Sequence, residues 1–351
     1  MKAVVTTGKK REIVIKDIPK PQVQPGTLLL KTRCCSICGT DLEYLDGSLA
    51  YRIGGDLRAG AILGHEFCAE VVEVDERVEG WSVGDRATTG GRQQGCGECY
   101  FCRRRLYHLC LGKEHERGIY TEVRPDGYGG AFGAMAEYFV RPPNSLLKLP
   151  GSVSDEEGAM VEPLSVGCGA IKVSEIESGE TAVVIGAGKI GLGTMMCAEV
   201  AGASPVIVID VHKNRLDKAL EMGADVVLNA NEVDVIPEVV KLTKAGPDVI
   251  FICVRDGKVL NQSVDMARRG GKIMLVGQVP PTEVTPGMWL AKNLRVEGAL
   301  SRAPMITSFN LIASKKVNVK PMISEIIPLE EAQRAFDSMY SGKNIVALLK
   351  P

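Results

Sequence analysis

The stretch Thr181-Ala182-Val183-Val184-Ile185 runs directly into Gly186-Ala187-Gly188-Lys189-Ile190-Gly191, and a helical run over 192–201 follows. A short apolar strand, a glycine-rich turn and a helix in this order open a dinucleotide-binding βαβ unit. Gly186 permits the tight turn, Gly188 lets the backbone approach a pyrophosphate, and Gly191 lets helix and strand pack closely. The helix start at Lys189 and Ile190 offers unpaired N–H groups to phosphate. Alone, the glycine pattern also suits a plain strand-to-helix turn. The second strand, however, ends in Asp210, nineteen residues past Gly191, where an acid would hydrogen-bond a ribose 2′-hydroxyl. Strand, helix and acid together point to a dinucleotide. Asp210 would repel a 2′-phosphate, which favours NAD over NADP. His212, Lys213 and Arg215 lie just beyond it, placed either to pair with such a phosphate or to stand in solvent.

Outward from this turn, apolar blocks at 205–210, 225–228, 248–253, 272–276 and 295–300 alternate with helical periods. Such near-continuous apolar strands predict a doubly wound parallel sheet covered on both faces. Upstream, to about residue 150, short apolar runs at 3–7, 13–18, 27–34 and 68–74 are broken by Gly and Pro. They predict a β-rich domain with irregular loops. Ser154 reads as the N-cap of a helix whose first turn carries Asp155, Glu156 and Glu157. Residues 301–351, with a helix at 329–340 and a strand at 344–349, are expected to return to the first domain. The expected division is therefore 1–154 with 301–351, and 155–300.

The 351 residues carry 42 basic and 43 acidic side chains, so no charge excess attracts a polyanion. Nucleic acid and membrane surfaces are poor partners on this balance, and no apolar run nears the roughly 18 residues of a spanning helix. The N-terminus enters strand-like sequence at once, which reads as cytoplasmic.

Eleven cysteines, an odd number, argue against a simple disulfide framework. Cys96, Cys99, Cys102 and Cys110 place four thiolates within 96–110, a long stretch without hydrophobic periodicity. Zinc closes structural sites with four S or N ligands and would fix such a loop without a core. Iron–sulfur ligation is a minor alternative. Packing as small hydrophobes fits poorly beside Arg103, Arg104 and Arg105. His108 reads as a surface residue.

Cys38-Gly-Thr-Asp41, Gly64-His65-Glu66 and Val161-Glu162-Pro163 contain a thiolate, an imidazole and carboxylates. Three such ligands with one position open make the arrangement that zinc enzymes keep for water or substrate. Zinc lowers bound water from about 15.7 towards 7, and a bound hydroxyl should become acidic in the same way.

With these motifs in order along essentially the whole chain, the sequence resembles the zinc-dependent medium-chain alcohol and polyol dehydrogenases, in the sorbitol, threonine and glucose dehydrogenase branch. The resemblance implies a GroES-like β-rich catalytic domain and a Rossmann dinucleotide domain. It implies two zinc ions per chain, a catalytic one on Cys38 and His65 and a structural one on the four-cysteine loop. Glu66 and Glu162 are both candidates to complete the catalytic shell, one of them through water. Asp41 resembles the acid that orients the ligand histidine, and Thr40 matches a hydroxyl proton relay, with a helix-cap threonine as the alternative reading. Many relatives place a histidine where this chain has Glu43, which takes the relay role or binds a substrate hydroxyl.

The stretch 127–137 is longer than the usual Gly-Gly-Phe-Ala-Glu pattern. Tyr51, Arg52 and Tyr120 fall in candidate pocket loops. Arg255 and Arg302 suit cofactor, an anionic substrate or ordinary surface ion pairs. The expected reaction is reversible NAD-linked oxidation of a secondary alcohol of a polyol, sugar or cyclitol to a ketone. Rival readings are an aldose 1-dehydrogenase, a threonine or amino-alcohol dehydrogenase, and a nicotinamide-binding protein that has lost catalysis. A homodimer or homotetramer is implied by the resemblance.

Overall fold

The computed structural model describes residues 1–48, 57–90, 96–106, 109–110, 133–299 and 305–351. The early apolar runs form β1 (Lys2–Thr7), β2 (Ile13–Asp17), β3 (Leu28–Ser36), β4 (Ala59–Ile62), β5 (Glu66–Val74), β6 (Arg86–Thr89), β7 (Tyr138–Arg141) and β8 (Leu146–Leu149). Helix α1 (Gly39–Asp46) follows β3, and α2 (Asp155–Ala159) follows β8. Ser154 caps α2 as expected, its side chain accepting from Glu157 N–H while Glu157 reaches back to Ser154 N–H.

Next come α3 (Val161–Ser174), β9 (Ala182–Ile185), α4 (Lys189–Val200), β10 (Val206–Asp210), α5 (Lys213–Glu221), β11 (Val226–Asn229), α6 (Val235–Thr243), β12 (Val249–Ile252), α7 (Lys258–Met266), β13 (Lys272–Leu275), α8 (Pro286–Lys292), β14 (Arg295–Gly298) and α9 (Met305–Ala313). Then β15 (Ile323–Pro328), α10 (Ala332–Tyr340) and β16 (Val346–Lys350) complete the chain.

Two compact units result: Met1–Glu162 with Ile323–Pro351, and Pro163–Met322. The seams fall at 162/163 and 322/323, not at the expected 154/155 and 300/301. Helix α2 stays with the first unit because it packs on β3, β5 and β6. Residues 305–322 stay with the second, so only the chain from Ile323 returns, where β15 pairs in parallel with β16.

In the first unit β2, β1 and β4 form one sheet, and β15, β16, β3, β5, β6 and β8 lie in order in a second, with β7 also on β3. Leu28, Leu30, Phe67 and Val71 from β3 and β5 share one core with Ile327 and Phe336 from the returning segment. In the second unit all six strands are parallel, in the order β11-β10-β9-β12-β13-β14. Counted within this unit that order is 3-2-1-4-5-6, the doubly wound arrangement that binds dinucleotides where the order reverses, between β9 and β12. The inner strands β9, β10 and β12 are buried throughout, as continuous apolar runs require, while edge strand β11 is half-buried.

Candidate metal and nucleotide sites

Strand register alone brings the candidate ligands together. Ser36 pairs with Glu66 and Cys35 with Phe67 across β3 and β5. Cys38, two residues past β3, and His65, immediately before β5, therefore meet at one end of the ladder. Gly64 makes the turn into His65 with φ of +99°, and a Cβ there would fall 2.7 Å from Cys35 Sγ and 2.8 Å from the Met135 amide nitrogen. Glycine alone tolerates that combination.

Cys38 is the N-cap of α1. Its Sγ accepts from Thr40 N–H at 3.4 Å, and Cys38 N–H donates to Asp41 Oδ2 at 2.9 Å. This is a capping box in which sulfur replaces the usual hydroxyl. Thr40 is therefore not the cap, and its Oγ1 lies 3.5 Å from Cys38 Sγ. Glu43, one helical turn further along the same face, is buried at 6% exposure.

One ligand atom each from Cys38, His65 and Glu66 lie within 4.8 Å of one another. Tetrahedral zinc, with bonds of about 2.0–2.3 Å, separates its ligands by roughly 3.3–3.8 Å, so small rotations close the trio around an ion. Glu162, in the first turn of α3, is outside this trio, yet its charge acts on His65.

The electrostatics also fit a cation. Burial pushes the His65 pKa down, but Cys38, Asp41 and Glu162 outweigh it and hold the imidazole well above its ordinary value. Asp41 and Glu66 are fully buried. Two buried carboxylates beside a half-buried thiol demand a positive partner, and zinc meets that demand where a single proton on His65 meets only part of it.

The second cluster comprises Cys96, Cys99, Cys102 and Cys110, whose sulfurs also lie within 4.8 Å of one another. Cys96 Sγ and Cys102 Sγ are 3.9 Å apart. The edge of a tetrahedral zinc–sulfur site is about 3.8 Å, and a disulfide is about 2.05 Å, so the spacing suits shared metal and not a bond. Cys99 N–H donates to Cys96 Sγ at 3.3 Å, Cys102 N–H to Cys99 Sγ at 3.4 Å, and Cys96 N–H to Cys110 Sγ at 3.2 Å. Backbone donors aimed at sulfur favour thiolates. Arg103, Arg104 and Arg105 are exposed, and the Arg104 guanidinium lies over the Tyr100 ring.

In the second unit, β9 is followed at once by Gly186, whose φ is +103°, and α4 starts after Gly188 as N-cap. A Cβ on Gly191 would fall 1.6 Å from the Gly186 carbonyl oxygen. Asp210 is buried at the end of β10; its Oδ2 accepts from Ala187 N–H at 2.7 Å and its Oδ1 from His212 N–H at 2.8 Å. Arg215, on α5, brings its guanidinium to within 3.9 Å of a Cβ position on Gly188. Lys189 is buried at the first position of α4, beside Ile190. The turn, the acid and one cation thus converge on the end of β9. Arg255 is exposed just beyond β12.

Tyr51, Arg52, His108, Tyr120 and Arg302, and the 127–132 part of the lengthened stretch, lie outside the described residues. The sulfur cap of α1 was missed by sequence reasoning, because cysteine is not among the usual N-cap residues. Asp41 three positions later was the available signal.

Residues 24–151 match the family model for an alcohol dehydrogenase GroES-like domain, and residues 190–314 match that of a zinc-binding dehydrogenase. The sorbitol dehydrogenase of Halalkalibacterium halodurans is 30% identical over 358 residues, covering 100% of this chain and 99% of that protein. The L-threonine 3-dehydrogenase of Pyrococcus horikoshii is 33% identical over 362 residues, with 100% and 99% covered. Among solved structures, a zinc-binding dehydrogenase of Sinorhizobium meliloti 1021 bound to NADP has a TM-score of 0.86 at 28% identity, with 100% of both chains covered.

Proposed function

The chain belongs to the zinc-dependent medium-chain alcohol and polyol dehydrogenase family, and we propose that it oxidises a secondary alcohol of a polyol, sugar or cyclitol reversibly to a ketone, with NAD as acceptor and two zinc ions per chain. It is an oxidoreductase acting on CH–OH groups. The observation that carries the substrate chemistry is the Cys38, His65 and Glu66 trio, with ligand atoms inside 4.8 Å.

Zinc bound there supplies Lewis acidity toward a substrate hydroxyl, and the nicotinamide supplies the two-electron acceptor. Cys38, His65 and Glu66 hold the metal directly, and Glu162 adds negative charge from outside the trio. Cys38 and Glu66 together offset the dication's charge. Asp41, beside Nδ1, would orient His65 as a ligand to the metal. Thr40 Oγ1 takes the hydroxyl proton and Glu43 carries it onward. Gly186, Gly188, Lys189, Ile190 and Gly191 cradle the pyrophosphate, and Asp210 receives the ribose hydroxyls. Cys96, Cys99, Cys102 and Cys110 would hold the second zinc, which would serve the fold.

Two further readings have specific support. The 33% identity to an L-threonine 3-dehydrogenase supports an amino alcohol as substrate. Arg215 beside Gly188, with an NADP-bound neighbour structure, supports some use of NADP. We read its place as cytoplasmic, in line with an odd count of eleven cysteines. No described helix is long and apolar enough to cross a membrane. We also propose assembly as a homodimer or homotetramer, which light scattering would test.

The test is reduction of NAD and NADP across polyols, inositols, aldoses, amino alcohols and simple secondary alcohols. A ketone product from a polyol or cyclitol with NAD is expected. Preference for L-threonine, or a lactone from an aldose, would replace this reading.

A further inference from the structure

Helices α3 and α4 cross at two glycines. A Cβ on Gly167 would lie 2.8 Å from the Gly193 carbonyl carbon and oxygen and 2.9 Å from the Thr194 amide nitrogen, so backbone meets backbone there. No side chain separates the helices at that point. The residue after Gly167 is Cys168, and Cys197 stands one turn beyond Gly193. Their sulfurs are 3.6 Å apart, and both residues are buried, at 6% and 4% exposure. Neither belongs to the two metal clusters.

We propose that Cys168 and Cys197 form an oxidisable dithiol, a modification site at which a small peroxide closes a disulfide between α3 and α4.

The geometry needs little movement. A disulfide is about 2.05 Å long, so the sulfurs approach by roughly 1.5 Å, shared between two rotatable side chains while the glycine contact holds the backbones. The sulfur–sulfur hydrogen bond makes the two thiols unequal. Cys197 beside it holds Cys168 below its usual pKa, and Cys197 itself is held well above, by Cys168 first and burial second. Cys168 is accordingly the sulfur assigned the first attack.

Its sulfur attacks one peroxide oxygen, the O–O bond breaks, and the leaving oxygen departs as water, giving a sulfenic acid on Cys168. The Cys197 sulfur then attacks that sulfur, the S–O bond breaks, and a second water leaves with the thiol proton. Two thiols and one hydrogen peroxide become one disulfide and two waters. The site requires a small oxidant because both sulfurs are nearly covered; a tripeptide disulfide meets a steric barrier that peroxide does not.

The zinc-loaded protein is treated with increasing hydrogen peroxide, digested under acid quench and mapped by mass spectrometry, with released zinc followed by a chromogenic chelator. The expected result is a peptide pair joining Cys168 to Cys197, two hydrogens lighter than the free pair, while zinc stays bound, and a melting temperature raised by a few degrees. Cys168→Ser and Cys197→Ser should each abolish the pair, and Cys34→Ser should leave it. Recovery of Cys168 and Cys197 as free thiols after peroxide has stripped zinc from the 96–110 cluster would overturn the proposal, as would linkage of either to a different cysteine. If the serine variants fail to fold, the peptide map of the unsubstituted protein decides the matter alone.

Discussion

Asp41 Oδ1 stands 3.7 Å from His65 Nδ1 while its Oδ2 accepts from Cys38 N–H at 2.9 Å. One buried carboxylate thus faces the candidate ligand imidazole and closes the helix cap of the candidate ligand cysteine. Asp41→Asn keeps an oxygen for the cap and removes the charge that acts on His65. Zinc affinity at this site should fall about 10–100-fold, the usual effect of losing such an outer partner, with α1 retained. A competitive chelator titration reads the change; an affinity equal to wild type would separate Asp41 from the metal.

Cys99→Ser removes one corner of the four-sulfur cluster and the acceptor for Cys102 N–H. The chain should then hold one zinc fewer and melt at a lower temperature, since a structural zinc contributes directly to folding. Metal analysis together with calorimetry checks both. An unchanged melting temperature would show that the cluster does not hold the 96–110 loop.

Gly191→Ala puts a methyl group where the Gly186 carbonyl oxygen lies, with 1.6 Å between the atoms. The turn must open, and NADH affinity should fall about 10-fold or more, because backbone N–H groups no longer converge on the pyrophosphate. Fluorescence titration of NADH measures it, with zinc content unchanged as the control for folding. Wild-type affinity would contradict the assignment of this turn.

The glycine turn was legible in the sequence because its constraint is local: residues 186–191 collide with one another unless they are glycine where they must be. The 96–110 cluster was legible for the same reason, as its ligands are near neighbours in the chain. That the second unit holds a parallel sheet followed from its apolar blocks. What could not be read was decided across long separations. Residues 301–351 looked like one returning segment, but the crossing waits for Ile323, where β15 finds β16. The choice between Glu66 and Glu162 as the nearer carboxylate depends on the β3–β5 register, which places Glu66 opposite Ser36. The Cys38 cap is local, but its one mark is Asp41 three positions on, and cysteine is not among the usual N-cap residues.

Asp155 ties α2 to the first unit's sheet. Arg86 donates to its Oδ1 at 2.9 Å and Arg33 to its Oδ2 at 3.3 Å. Burial raises its pKa, but the Arg86 hydrogen bond, the Cys68 contact and the charges of both arginines hold it below the ordinary carboxylate range. A depressed folded-state pKa contributes stability above the unfolded value of about 3.9, and that contribution is lost as pH falls through the folded value. Asp155→Asn should therefore cost about 1–3 kcal/mol at neutral pH, with the gap to wild type closing below about pH 4. Urea unfolding at several pH values reads this, and a gap independent of pH would rule the ion pair out as its source.

The decisive measurement is zinc per chain, with activity, in wild type and Cys38→Ser. Wild type should contain two zinc ions. The variant should contain one, lose NAD-linked alcohol oxidation, and keep its melting transition and NADH binding. Two ions and undiminished activity in Cys38→Ser would contradict a catalytic metal held by Cys38, His65 and Glu66.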